Sequence, residues 1–187
     1  MKSFILVLFF VFLSFFLSLA PAPVLYAEEK EAASEEGPGQ SVPTLGNQHI
    51  SSLRAPHAPY NSVPPTSGPH THNVAQWGVY RQQVPDELQV HNLEDGGVMI
   101  QYDCSGCKDL MKQLESLVRS YYKKAKAEEK ESGGRSKYQH IIVGPYKNIG
   151  NKIALTAWGK IDKFDEFDED RIRKFIEAYV GIDHHPR

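Results

Sequence analysis

The chain has 187 residues, 21 Lys and Arg against 23 Asp and Glu, a formal net charge of −2 and 41% hydrophobic residues. Near-neutral charge, with basic residues scattered or paired with Glu, excludes an extended nucleic-acid surface. Only two cysteines, Cys104 and Cys107, are present, so the chain is not a disulfide-stapled scaffold either; a bridge that local closes a very short loop.

Phe4 to Ala20 form an almost unbroken apolar run behind Lys2, and Pro21 ends any helix there. Residues 1–27 therefore read as an export signal cut after Ala27, although Leu25 at the minus-three position is larger than such sites prefer. The alternative is an uncleaved anchor, since the run is close to the minimum of about 17 residues that spans a bilayer. On either reading the rest of the chain is exported, to a periplasm or an extracellular face, and meets the membrane only through this segment. Residues 28–48 are rich in Glu, Ser, Gly and Pro and are expected to form a disordered linker. Residues 49–187 then make a single globular domain with enough apolar residues for one core.

Between His49 and Pro85 the prolines Pro56, Pro59, Pro64, Pro65, Pro69 and Pro85 forbid long helices. Irregular coil is expected there, anchored by Tyr60, Trp77 and Tyr80. Regular structure is expected from Val90. Gly97 to Tyr102 reads as a strand entered through Asp95-Gly96-Gly97. Cys104 to Glu131 reads as a helix, because Leu110, Met111, Leu114, Leu117, Val118 and Tyr121 recur at three- and four-residue steps before Ser132-Gly133-Gly134 ends it. Lys137 to Val143 and Lys152 to Trp158 read as the two strands of a hairpin. A last helix begins at the N-cap candidate Asp168 and packs through Ile172, Phe175, Ile176 and Tyr179. Strand, helix, strand, strand, helix after a coil-rich half is an α+β domain.

Chemistry concentrates in two groups. Cys104 and Cys107, placed on the first turn of the expected helix, have thiols that the helix dipole favours as thiolates; such a pair can chelate a soft ion, exchange disulfides or form a passive bridge. His70 and His72 alternate, so an extended chain turns both imidazoles to one side. His91 opens the segment HNLEDGG, and a tight curl there brings His91, Glu94 and Asp95 to the mouth of the CxxC; the bland alternative is a solvated turn. His140 reads as a satisfied sheet residue, His184 and His185 as part of a frayed terminus, and His49 and His57 as unmarked coil. No P-loop, nucleophile elbow or HExxH occurs.

The segments Tyr60-Asn61-Ser62-Val63-Pro64-Pro65-Thr66-Ser67-Gly68-Pro69-His70, Trp77-Gly78-Val79-Tyr80, Val90-His91-Asn92-Leu93-Glu94, Gly96-Gly97-Val98 and Thr156-Ala157-Trp158-Gly159 together resemble the domain-of-unknown-function family 3105 of exported or membrane-anchored proteins. The resemblance spans Tyr60 to Val180 and implies that the segments ending at His70 and starting at His91 are hallmarks, which ranks both histidines above His72. It also implies a histidine where this chain has Asp95, and a CxxC present in some relatives only.

Together these readings predict an exported metal-binding domain, with His70, His91, Cys104 and Cys107 as ligands and His72 and Asp95 as further partners. Copper is the expected ion, since thiolate with imidazole suits Cu(I), and zinc comes next. The expected partners are the ion and a protein that donates or accepts it. Two alternatives stand beside this. One is a thioredoxin-like thiol-disulfide oxidoreductase using Cys104 and Cys107, against which the long helix leaves no room for the usual intervening strand. The other is a non-catalytic interaction domain.

Overall fold

A computed structural model describes residues 37–185. The expected signal segment, and the linker up to residue 36, lie outside the described residues. Among the described residues no helix is long and apolar enough to cross a membrane.

In chain order the elements are β1 (Gln40–Ser41), β2 (His49–Ile50), β3 (His70–Thr71), β4 (Gly78–Val79), α1 (Asp86–Glu94), β5 (Val98–Tyr102), α2 (Lys108–Ser132), β6 (Ile141–Pro145), β7 (Ile153–Ala157), β8 (Lys160–Phe164) and α3 (Glu169–Tyr179). This is an α+β domain. Six strands form one mixed sheet in the order β1-β8-β7-β5-β6-β4, and β2 with β3 forms a separate parallel pair.

β5 is the axis of the sheet, with all five of its residues buried. Alternation along the strand sends Val98, Ile100 and Tyr102 to one face, where they join Leu114, Leu117, Val118 and Tyr121 of α2 and Ile172, Phe175 and Ile176 of α3. Met99 faces the other way and packs with Ile142, Leu93 of α1, and Val84 and Ala75 of the coil. Helices thus cover one face, and α1 with the proline-rich coil covers the other. At roughly 1.5–3 kcal/mol per fully buried aliphatic side chain, the larger first cluster dominates the fold.

Several elements depart from the sequence expectation. Residues 37–48, assigned to a disordered linker, join the domain: Gln40 and Ser41 pair antiparallel with Ile161 and Lys160, and the Tyr179 hydroxyl donates to the Pro38 carbonyl at 2.7 Å. α1 was expected to be coil up to Val90. It starts directly after Pro85, a residue that rules out a helix interior but suits a helix start. α2 begins at Lys108 with Cys107 as its N-cap, so the cysteines precede the first turn. β6 and β7 do not form a hairpin. β5 lies between them, parallel to β6 and antiparallel to β7, because α2 carries the chain back across the sheet face before β6. The hairpin is β7 with β8, turning at Gly159 in the left-handed region. α3 begins at its expected cap, with Asp168 Oδ1 accepting the Arg171 N–H at 3.0 Å.

Candidate metal centre

Four separate stretches of chain meet at the end of the sheet where β5 begins. The first is the β2–β3 pair, whose register sets His49 beside His70. The imidazole centroids lie 4.7 Å apart. The segment before His70 is tied down residue by residue: Thr66 O accepts Gly159 N–H, Gly68 N–H donates to Gly46 O, and His70 N–H donates to Gln48 O. Ser67 Oγ accepts from Leu45 N–H at 3.0 Å, and Tyr60 donates to Pro69 O at 2.6 Å. Pro64 and Pro65 remove donors from a stretch that has little room for a ladder.

α1 is the second contributor. His91, Glu94 and Asp95 fall at i, i+3 and i+4, on one helical face. Asn92, fully buried, faces the coil and closes two hydrogen bonds with Ala75, donating to its carbonyl at 2.9 Å and accepting its N–H at 2.8 Å. Leu93 enters the core. Every residue of His91-Asn92-Leu93-Glu94 therefore has a distinct contact.

The third stretch is the β7–β8 turn, where Trp158 stands edge-on to His70 with centroids 6.2 Å apart. The fourth follows α3. Gly181 N–H donates to Gly96 O and His184 N–H to Glu94 O, while the His184 ring stacks on Trp158. Gly96 permits this docking, since a Cβ there would lie 2.7 Å from Ile182 N. Gly97 is equally confined, by Asn92 O and the Trp77 ring.

Hydrogen bonding assigns the ring atoms. His70 Nδ1 lies 2.7 Å from Gly68 O and His91 Nδ1 lies 2.6 Å from Thr71 O. A carbonyl only accepts, so each Nδ1 carries a proton and each Nε2 is left to face the cluster. Metal-bound histidines are held in this way, the far N–H given to a carbonyl or carboxylate. His70 Nε2 lies 2.9 Å from Glu94 Oε2, both side chains having no exposure. Two such atoms meet only across a cation, either a proton or a metal ion. The second Glu94 oxygen, Oε1, is buried with no hydrogen-bond partner among the described residues. His49, His70 and His91 each offer a ligand atom within 4.8 Å of the others, and so do His91, Glu94 and His185. Partial desolvation, then the neighbouring His70 and His72, hold the His49 pKa below its ordinary value, which favours the neutral, coordinating imidazole. His185 is shifted upward by its hydrogen bond to Asp183.

The expected site residues divide accordingly. His70, His91 and Asp95 come together, with His91 Nε2 and Asp95 Oδ1 3.8 Å apart. His72 is exposed and stacks on His49 at 4.0 Å; among the described residues it belongs to neither group of converging ligand atoms. Cys104 and Cys107 are joined in a disulfide. They follow the far end of β5, and the five residues of that strand, at about 3.3 Å per residue, separate its ends by about 13 Å. The single site of histidines and cysteines expected from the sequence therefore does not form. His49 and His185, read as unmarked coil and frayed end, stand in the cluster instead. Their only sequence signal was excess, eight histidines in a chain of this length. His140 stacks on Trp77 and, among the described residues, belongs to neither group of converging ligand atoms.

The fold and the cluster define an α+β domain built around a histidine–carboxylate group able to hold a metal ion. The chain belongs to the family described as Protein of unknown function (DUF3105), whose model matches residues 54–187. His70, His91, Glu94 and His185 lie inside that stretch and His49 before it. No curated protein matches, and no solved structure matches.

Proposed function

We propose that this protein is an exported metal-binding domain that holds a divalent first-row transition-metal ion on His49, His70 and His91, with Glu94 alongside. The observation that carries the reading is the pair of backbone carbonyls, Gly68 O and Thr71 O, that fix the tautomers of His70 and His91 and leave His70 Nε2 against the buried Glu94 carboxylate and His91 Nε2 beside Asp95, within two groups of converging ligand atoms. A buried carboxylate costs several kcal/mol unless a cation compensates it, and at Glu94 that cation is either the proton shared with His70 Nε2 or a bound metal ion. With the cysteines engaged in their own bridge, the donors are imidazole and carboxylate. That set loses the thiolate argument for Cu(I) and suits Zn(II) and Cu(II), with Cu(II) the tighter by the Irving–Williams order. Delivery of the ion to, or receipt from, a partner protein fits a cluster with solvent-facing members.

The test is elemental analysis and calorimetric titration of the purified, metal-stripped chain. One equivalent of Zn(II) or Cu(II) is expected, and saturation at about 100 times Kd adds about 2.7 kcal/mol. For a domain of this size that raises Tm by about 5–10 °C, reversed by a chelator. Absence of any bound or titratable ion overturns the reading.

The Cys104–Cys107 bridge keeps a second reading in view. It encloses only Ser105 and Gly106, both exposed, in a loop too short to contribute much stability. A thiol-disulfide exchange role predicts insulin reduction that vanishes in Cys104→Ser; no turnover in the parent chain removes it.

A further inference from the structure

His91 has one ring nitrogen to give, because Nδ1 is committed to Thr71 O at 2.6 Å. His91 nevertheless belongs to two groups, one with His49 and His70, the other with Glu94 and His185, and with Nδ1 committed only Nε2 is left to serve either. An imidazole nitrogen binds one ion at a time, so the two groups cannot both be filled with His91 in each.

The second group is as well prepared as the first. His185 Nδ1 lies 2.7 Å from Asp183 Oδ1, the carboxylate–imidazole arrangement that leaves Nε2 for a metal. That Nε2 is 3.4 Å from Glu94 Oε2 and 3.8 Å from Asp95 Oδ1. Glu94 has no exposure, its Oε2 faces His185, and its Oε1 has no hydrogen-bond partner among the described residues, so the carboxylate keeps acceptor capacity beside the group. The segment carrying His185 is anchored by the backbone bonds from Gly181 to Gly96 and from His184 to Glu94. Each group also has its own solvent-facing member, His49 in one and His185, with 39% side-chain exposure, in the other.

We infer that His91 is the common donor of two alternative three-ligand positions for a single divalent ion, a histidine position (His49, His70, His91) and a carboxylate position (His91, Glu94, His185). The inference rests on the metal-binding reading above. In passing between positions the ion keeps its bond to His91, releases His49 and His70, gains His185, and takes as a full ligand Glu94, whose Oε2 already stands 2.9 Å from His70 Nε2. No electron moves, and the carboxylate position carries one more negative charge. The histidine position is the softer and favours copper; the carboxylate position is the harder and favours zinc or a more oxophilic ion. An ion arriving past one exposed histidine can thus leave past the other.

The test uses Co(II) alone, whose visible bands report ligand type and geometry, on the full chain and on His49→Ala and His185→Ala. Both substituted residues are exposed, and retained near-ultraviolet circular dichroism verifies folding. One equivalent is expected in all three proteins, with different spectra for the two variants and a parent spectrum that is their weighted sum. Loss of binding in either single variant, or a parent spectrum equal to one variant's, leaves one position and overturns the inference. Two equivalents in the parent overturn it as well, since both groups would then be filled together. No Co(II), Zn(II) or Cu(II) bound by the parent is a different failure, that of the metal-binding reading itself.

Discussion

The two ends of β5 carry the two kinds of soft donor this chain owns, and they use them in opposite ways. At the entry end, imidazoles from β2, β3, α1 and the segment after α3 gather around His91 and Glu94, with backbone carbonyls holding the outer nitrogens of His70 and His91 and Asp183 that of His185. At the exit end, the two sulfurs satisfy each other beside an open cleft of about 620 Å³ lined by Asp103, Ser105, Asn151 and Asp165. Convergence from distant segments leaves valence directed inward, whereas pairing between near neighbours consumes it. Donor type alone therefore does not locate a site; what matters is whether the partner that closes each donor's valence is local or remote.

This contrast can be broken most sharply at His91. His91→Ala removes the donor common to both groups, and Zn(II) or Cu(II) affinity measured by competition with a chromophoric chelator is expected to fall at least 100-fold. An unchanged affinity would take the ion away from α1 altogether. Asn92→Ala comes next. It leaves the Ala75 N–H and C=O without their buried partner, at about 1–3 kcal/mol for each group left unsatisfied. Urea denaturation should show that loss as a lower midpoint at unchanged slope, together with a weaker metal affinity as the loop behind His72 loosens. The smallest effect is expected at the other end of the strand. Cys104→Ser with Cys107→Ser should cost no more than about 2 kcal/mol, the chain-entropy value for so short a loop, and leave metal affinity within twofold of the parent. A tenfold change in affinity would show that the two ends communicate.

Much of the helical face of the fold is legible in the sequence. The three- and four-residue repeats of Leu114, Leu117, Val118 and Tyr121, and the Asp168 cap, suffice for α2 and α3. α1 is not legible in this way. Gln89, His91, Asn92 and Glu94 are buried alongside Val90 and Leu93, so no polar face alternates with an apolar one and the period that reveals a helix is missing. The pairing of β5 between β6 and β7 is likewise hidden, since sequence adjacency favours a hairpin and only the crossover by α2 reverses it. Within the candidate site, His70 and His91 stand out because each ends or begins a motif. His49 is invisible because a parallel register with β3 brings it there, and His185 because its segment docks through glycine backbone at Gly96 and Gly181. Neither kind of contact leaves a residue pattern.

Trp158 lies at the boundary of this cluster, edge-on to His70 at 6.2 Å and stacked with His184 at 5.9 Å. The chain has two tryptophans, and the other, Trp77, stacks on His140. The protein therefore carries an internal optical gauge at its candidate centre. In a Trp77→Phe background, emission comes from a single indole that touches one ring beside each group of donors. A paramagnetic ion such as Cu(II) seated there should quench it strongly, while Zn(II) should change only its surroundings, so occupancy becomes readable in real time without any added label.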